Sequence, residues 1–171
     1  MSPVQEKYEF VVQEAERFLA PEGFHRSKAC LRKCQSHADV RWSLCFEKSR
    51  RSTAEHIQFT ANVSVEWKRR PPWYEDLEPH TAWYGGAGDR IGFLTPKKND
   101  AWWDIDSGTS DELLSGQFNA VLASCVLPFF RRFQTEQEIE SYYRTAAEGE
   151  LRANFTGTEA VRCEQLLITL R

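Results

Sequence analysis

The chain reads as a single α+β domain, with a four- to five-stranded antiparallel sheet carrying helices on one face. Three observations predict this. Ile57, Phe59, Ala61, Val63, Val65 and Trp67 alternate without a break against His56, Gln58, Thr60, Asn62, Ser64 and Glu66. That period of two belongs to a strand with one buried and one wet face. The strand patterns are grouped between one leading helix pattern and several trailing ones, an order that argues for α+β rather than alternating βαβ units. Finally, 171 residues can build one proper core, burying roughly 70% of the surface of the unfolded chain.

The first helix opens at Ser2-Pro3-Val4-Gln5, with a Ser cap, Pro in the first turn and Gln three residues after the cap. Val4, Tyr8, Val11, Val12, Ala15, Phe18 and Leu19 form its apolar stripe. Pro21-Glu22-Gly23 ends it, and Phe24 is expected to fold back over the helix end. Strands are predicted over 29–35 and 40–47, the second from the alternation of Val40, Trp42, Leu44 and Phe46, followed by the central strand 55–67. The connection 68–88 carries Pro71-Pro72, Trp73, Tyr74, Trp83, Tyr84 and Gly85-Gly86. It is long for a compact domain, so it either has a function or contains a short element; Gly85-Gly86-x-Gly88 reads as a flexible turn. Further strands are expected over 89–94, with Ile91 and Phe93 pointing inward, and over 101–106.

Thr109-Ser110-Asp111-Glu112 reads as a capping box for a long helix whose face is Leu114, Phe118, Val121, Leu122, Cys125, Phe129 and Phe133. Pro128 is expected to kink or split it. Thr135 to Glu138 is a second capping box. The domain therefore spans 1–171, with a core of about 6–133 and a mainly helical extension over 134–171.

Composition narrows the function classes. The net charge is −3, so no global field gathers nucleic acid or an anionic membrane. The start is polar rather than leader-like, and no apolar run reaches the roughly 18 residues that cross a bilayer. Five cysteines, odd in number and without a Cys-x-x-Cys pair, suggest free thiols in a reducing cytoplasm.

The leading helix ending in Pro21-x-Gly23-Phe24, the Trp67 to Arg70 segment, Asp89-Arg90-Ile91-Gly92-x-Leu94, Asp100-Ala101-Trp102-Trp103-x-Ile105 and the long helix together resemble the bacterial domain-of-unknown-function family 4304. The likeness covers about 6–133. It implies a small cytoplasmic bacterial protein with no established activity and supplies no catalytic residues.

Each candidate for chemistry has a plainer reading. Cys30, Cys34 and His37 form Cys-x3-Cys-x2-His, but on a strand the two thiols stand about 13 Å apart, too far to share zinc. Neither a metal nor a cofactor is expected. Glu66-x-Lys68 matches half of a restriction-nuclease metal site, in which a carboxylate holds the ion and a lysine steadies the attacking water. Asp39 or Glu47 would have to complete it. Lys68, Arg69 and Arg70 beside Trp73 and Tyr74 suit phosphate and base contacts, although Glu75, Asp76 and Glu78 weaken their field. The four histidines have no partner at a telling spacing.

The remaining surface is the wet sheet face, where Arg41, Ser43 and Glu47 lie beside Gln58, Thr60, Asn62 and Ser64. Trp73, Tyr74, Trp83 and Tyr84 border it, and Trp and Tyr are enriched at binding hot spots. The expectation is a non-enzymatic cytoplasmic binding protein of the immunity or adaptor kind, engaging a protein partner through this face and the aromatic loop. The alternative is a metal-dependent nuclease or nucleic-acid-binding protein centred on Glu66 and Lys68. No membrane partner is expected.

Overall fold

The structure, a computed structural model, describes residues 1–35, 39–67, 84–139 and 141–142. Helix α1 (Pro3–Leu19) starts as its sequence demands: the Ser2 hydroxyl accepts from the Gln5 N–H at 3.2 Å and Pro3 occupies the first turn. Its stripe is buried from Val4 to Leu19, apart from Phe18, which is 36% exposed. A short 3₁₀ turn follows, and Gly23 closes it at φ 88°, a left-handed conformation that glycine adopts without steric cost. Phe24 then folds under the sheet, packing on Trp42 and Phe130.

Six strands form one antiparallel sheet: β1 (His25–Ser27), β2 (Cys30–Cys34), β3 (Val40–Lys48), β4 (Ile57–Trp67), β5 (Tyr84–Arg90) and β6 (Trp103–Ile105). Their order is β1-β2-β3-β4-β5, with β6 also on β4. One edge of β4 is shared end to end: residues 57–59 pair with β6 and residues 62–67 with β5. The central position expected for 55–67 is therefore correct. Helix α2 (Asp111–Val121), a π turn at Leu122–Val126 and helix α3 (Leu127–Arg131) follow the sheet.

Four expectations are corrected. The glycine-rich stretch expected as a turn is strand β5. The pattern at 89–94 instead closes as a 3₁₀ turn at Ile91–Leu94; Ile91 is fully buried, but Phe93 is 41% exposed. The Ser110 hydroxyl, not that of Thr109, caps α2 by accepting from the Leu113 N–H at 3.3 Å. Thr109 instead donates to Asp106, whose carboxyl is held below the usual range chiefly by that bond. Cys30 and Cys45, directly opposite on β2 and β3, form a disulfide, leaving Cys34 and Cys125 as free thiols among the described residues. The five-thiol reading failed because strand register, not sequence spacing, brought these two together.

Pro128 acts as expected, through a specific device. It has no N–H for the carbonyl four residues back, and its ring crowds that carbonyl. The helix widens into a π turn just upstream, with the Leu127 N–H reaching the Leu122 carbonyl; such turns relieve a helix at a local misfit. The unbroken helical run Asp111–Arg131 is 21 residues, long and apolar enough to cross a membrane by length and composition. The expectation that no apolar run reaches this length is corrected by this helix. Here, Leu114, Phe118, Leu122, Val126 and Phe130 are buried in the core between the run and the sheet.

The second capping box forms as read: the Thr135 N–H donates to the Glu138 carboxylate at 2.8 Å, and the Glu138 N–H donates back to Thr135 Oγ1 at 3.3 Å. Ile139 beyond it is fully buried, so the core extends past 133.

Reducing the disulfide, or replacing both partners in Cys30→Ala/Cys45→Ala, should lower stability by about 2–4 kcal/mol, because the bond removes loop entropy from the unfolded chain. Urea unfolding of oxidised and reduced protein, with intact mass to count the two added hydrogen atoms, measures this. Gly92→Ala should cost at least about 2 kcal/mol, since an added Cβ would meet the Asn99 carbonyl oxygen at 2.2 Å and the Ala101 nitrogen at 2.4 Å. The same urea titration reads it.

Candidate functional site

The antiparallel register turns the alternation of β2, β3 and β4 into rows running across the polar face. Arg32 stands beside Ser43 and Ser64, and Arg41 beside Glu66. Glu47 is opposite Thr60, one step from Cys45 opposite Asn62, which pairs in turn with Arg90 of β5.

Two hydrogen-bonded arrays result. At one end, the Arg41 Nε–H donates to Glu66 Oε2 at 2.7 Å and the Ser43 hydroxyl donates to the same oxygen at 3.0 Å. At the other, the Asn62 amide donates to Glu47 Oε2 at 2.9 Å. Arg90 bridges Glu47 and Asp100 at 3.4 and 2.8 Å, its guanidinium lying 5.0 Å from the Trp102 ring. Charge-assisted bonds of this kind fix side chains in one arrangement.

The face is less open than its sequence suggests. Ser43 and Thr60 are 2% and 0% exposed. The segment between the 3₁₀ turn and β6 crosses over Thr60, whose hydroxyl donates to the Ala101 carbonyl at 3.0 Å. Thr60 therefore leaves the candidate binding set, while Arg41, Asn62, Ser64 and Glu66 stay half-buried and Gln58 bonds Asp104 at 3.3 Å. Arg32 belongs in the set and was missed, because its strand alternates poorly. Its Nη1 donates to Ser27 at 3.1 Å, yet its buried Nε has no acceptor.

The nuclease constellation is only partly assembled. Asp39 directly precedes Val40, the partner of Trp67, and so lies at the Glu66 end of the sheet. Glu47 does not: it pairs with Thr60, six positions along β4 from Glu66, or about 20 Å away. Glu66 is held by Arg41 and Ser43. Among the described residues, no three His, Cys, Asp or Glu side chains group as metal ligands. Lys68, Arg69, Arg70, Trp73, Tyr74 and Trp83 lie outside the described residues, as does His37; Tyr84 begins β5 opposite Trp67. One histidine does have a partner that spacing failed to reveal: His56 Nε2 lies 2.9 Å from Asp104 on β6, both side chains half-exposed.

No family model, curated protein or solved structure matches the chain. The fold and this face define its class, an α+β domain with an antiparallel sheet backed by helices on its apolar side.

Glu66→Ala should destabilise the protein by about 1–3 kcal/mol, because it removes the part-buried acceptor of the Arg41 Nε–H and the Ser43 hydroxyl. Glu66→Gln, which keeps an acceptor, should cost less. Paired thermal melts decide between them.

Proposed function

We propose that the chain is a non-enzymatic cytoplasmic binding protein of the immunity or adaptor kind, allied to family 4304. On this reading it engages a protein partner through the polar face of β2 to β4 and the aromatics of the 68–84 segment. One observation carries the reading: the face presents polar groups already fixed in cross-strand hydrogen bonds. Side chains locked before encounter lose little entropy on binding. The Cys30–Cys45 disulfide takes two of the five thiols on which the cytoplasmic part of the proposal was based.

The test is capture from the native host by the tagged full chain, compared with Arg32→Ala/Ser64→Arg and with Trp73→Ala/Trp83→Ala. A partner recovered by the wild type should fall at least tenfold in both, with unfolding cooperative in each. Equal recovery sinks the face assignment. Cleavage of DNA or RNA with Mg²⁺ or Mn²⁺, abolished by Glu66→Gln, would instead establish the nuclease alternative.

A further inference from the structure

On the opposite side of the sheet, a cleft of about 370 Å³ opens between α1, the β1–β2 hairpin and the end of β3, lined by Tyr8, Val12, Arg26, Lys28, Ala29, Phe46 and Lys48. Its composition is divided. Tyr8, Val12 and Phe46 are buried and form an apolar floor. Arg26, Lys28 and Lys48, exposed and drawn from three places in the fold, supply the cations.

Acids meet these charges unevenly: Glu9 and Glu16 act on Arg26, and Glu9 also feels Lys48. Glu9 pairs with Arg26, and that hydrogen bond holds the Glu9 carboxyl below its usual range. Lys48 Nζ bonds the neutral Gln5 side chain at 2.6 Å and stands 4.2 Å from the centre of the Tyr8 ring. Lys28 has no carboxylate partner among the described residues. It holds φ at 57° in the two-residue turn of the hairpin, a left-handed conformation in which a side chain other than glycine, asparagine or aspartate is uncommon.

We propose that this cleft binds a small amphipathic anion, an aryl or acyl carboxylate, with its apolar body against Tyr8, Val12 and Phe46 and its acid group among Arg26, Lys28 and Lys48. A volume near the lower end of the range for ligand sites limits the occupant to a small molecule. The apolar floor favours a carboxylate with a hydrophobic body over a bare inorganic anion. Burial pushes the Tyr8 phenol up to about 12. This site is independent of the polar face and stands or falls separately from it.

The test uses the oxidised full chain and the fluorescent aryl sulfonate 8-anilinonaphthalene-1-sulfonate, with 2-naphthoate, octanoate, 2-naphthalenemethanol and inorganic phosphate as competitors. The expected result is one probe per chain, displaced by naphthoate or octanoate at concentrations at least tenfold below those needed for the neutral alcohol or phosphate. Lys28→Gln/Lys48→Gln should weaken the probe at least tenfold. Ala29→Trp, which fills the cleft from an exposed wall, should abolish its binding without changing the melting temperature by more than a few degrees. Binding unchanged in both variants, or displacement equally strong by the neutral alcohol or by phosphate, overturns the proposal.

Discussion

Phe59 is the contact on which the rest of the molecule depends. Its fully buried ring meets Tyr8 from α1 edge-on at 5.5 Å, Phe46 from β3 at 6.4 Å, Trp103 from β6 at 5.7 Å and Phe118 from α2 at 5.8 Å. Four elements separated in sequence thus share one side chain near the start of β4. Aromatic pairs at these separations contribute about 0.5–1.5 kcal/mol each beyond the area they bury. This geometry requires Phe59 to face the helices, which sets the parity of all of β4. Every even-numbered residue from Gln58 to Glu66 then faces the other way, so the polar rows follow from the packing of the core. A slip of one position in the β3–β4 register would turn Phe59 to the polar side and Asn62 into the core, which is why the register is strongly specified.

A second cluster does for the far end of β4, where Trp42 pairs with Val65, what Phe59 does near its start. Trp42 stacks on Phe130 at 5.2 Å, and Lys33 stands 4.7 Å from its ring. Its indole N–H donates to the Phe133 carbonyl at 2.8 Å. That carbonyl, close behind the end of α3, would otherwise be an unsatisfied acceptor of the kind every helix end presents. The π turn ahead of Pro128 lets α3 reach this position: it absorbs the missing hydrogen bond while Val126 and Phe130 both remain buried.

The parts of this architecture that could be read from sequence are those whose signal is local. Alternation alone predicts β3 and β4, because both of their faces carry the contrast, and Ser2 and Thr135 announce helices through bonds to residues three positions away. Strand β5 was hidden because Tyr84-Gly85-Gly86-Ala87-Gly88 has almost no strand propensity of its own. It is a strand because β4 supplies a partner, and Gly88 is required where a Cβ would meet the Val63 carbonyl at 2.6 Å. The disulfide and the His56–Asp104 pair were illegible for the same reason, since each depends on which strands are neighbours. The polar face was half legible: period two shows which side chains share a face, but only register shows that Glu66 meets Arg41 while Glu47 meets Asn62. The apolar-floored cleft left no linear trace, because its cations come from a strand, a turn and the end of another strand.

The end of β3 joins the two sides of the sheet. Cys45 and Glu47 face the polar side, where one is bonded to Cys30 and the other accepts from Asn62. Phe46 and Lys48, between and beyond them, face α1 and line the cleft. The Phe46 N–H donates to the Ala29 carbonyl at 2.9 Å, so the hairpin turn that carries Lys28 is tied to this same short stretch. The covalent bond between residues 30 and 45 therefore sits one residue from two lining positions, Ala29 and Phe46, and limits how far the turn can move from the strand. A cleft wall made of a two-residue turn has few contacts of its own to hold it. Anchoring it through the neighbouring strand, from the opposite face, keeps the cations near the apolar floor without filling the space between them.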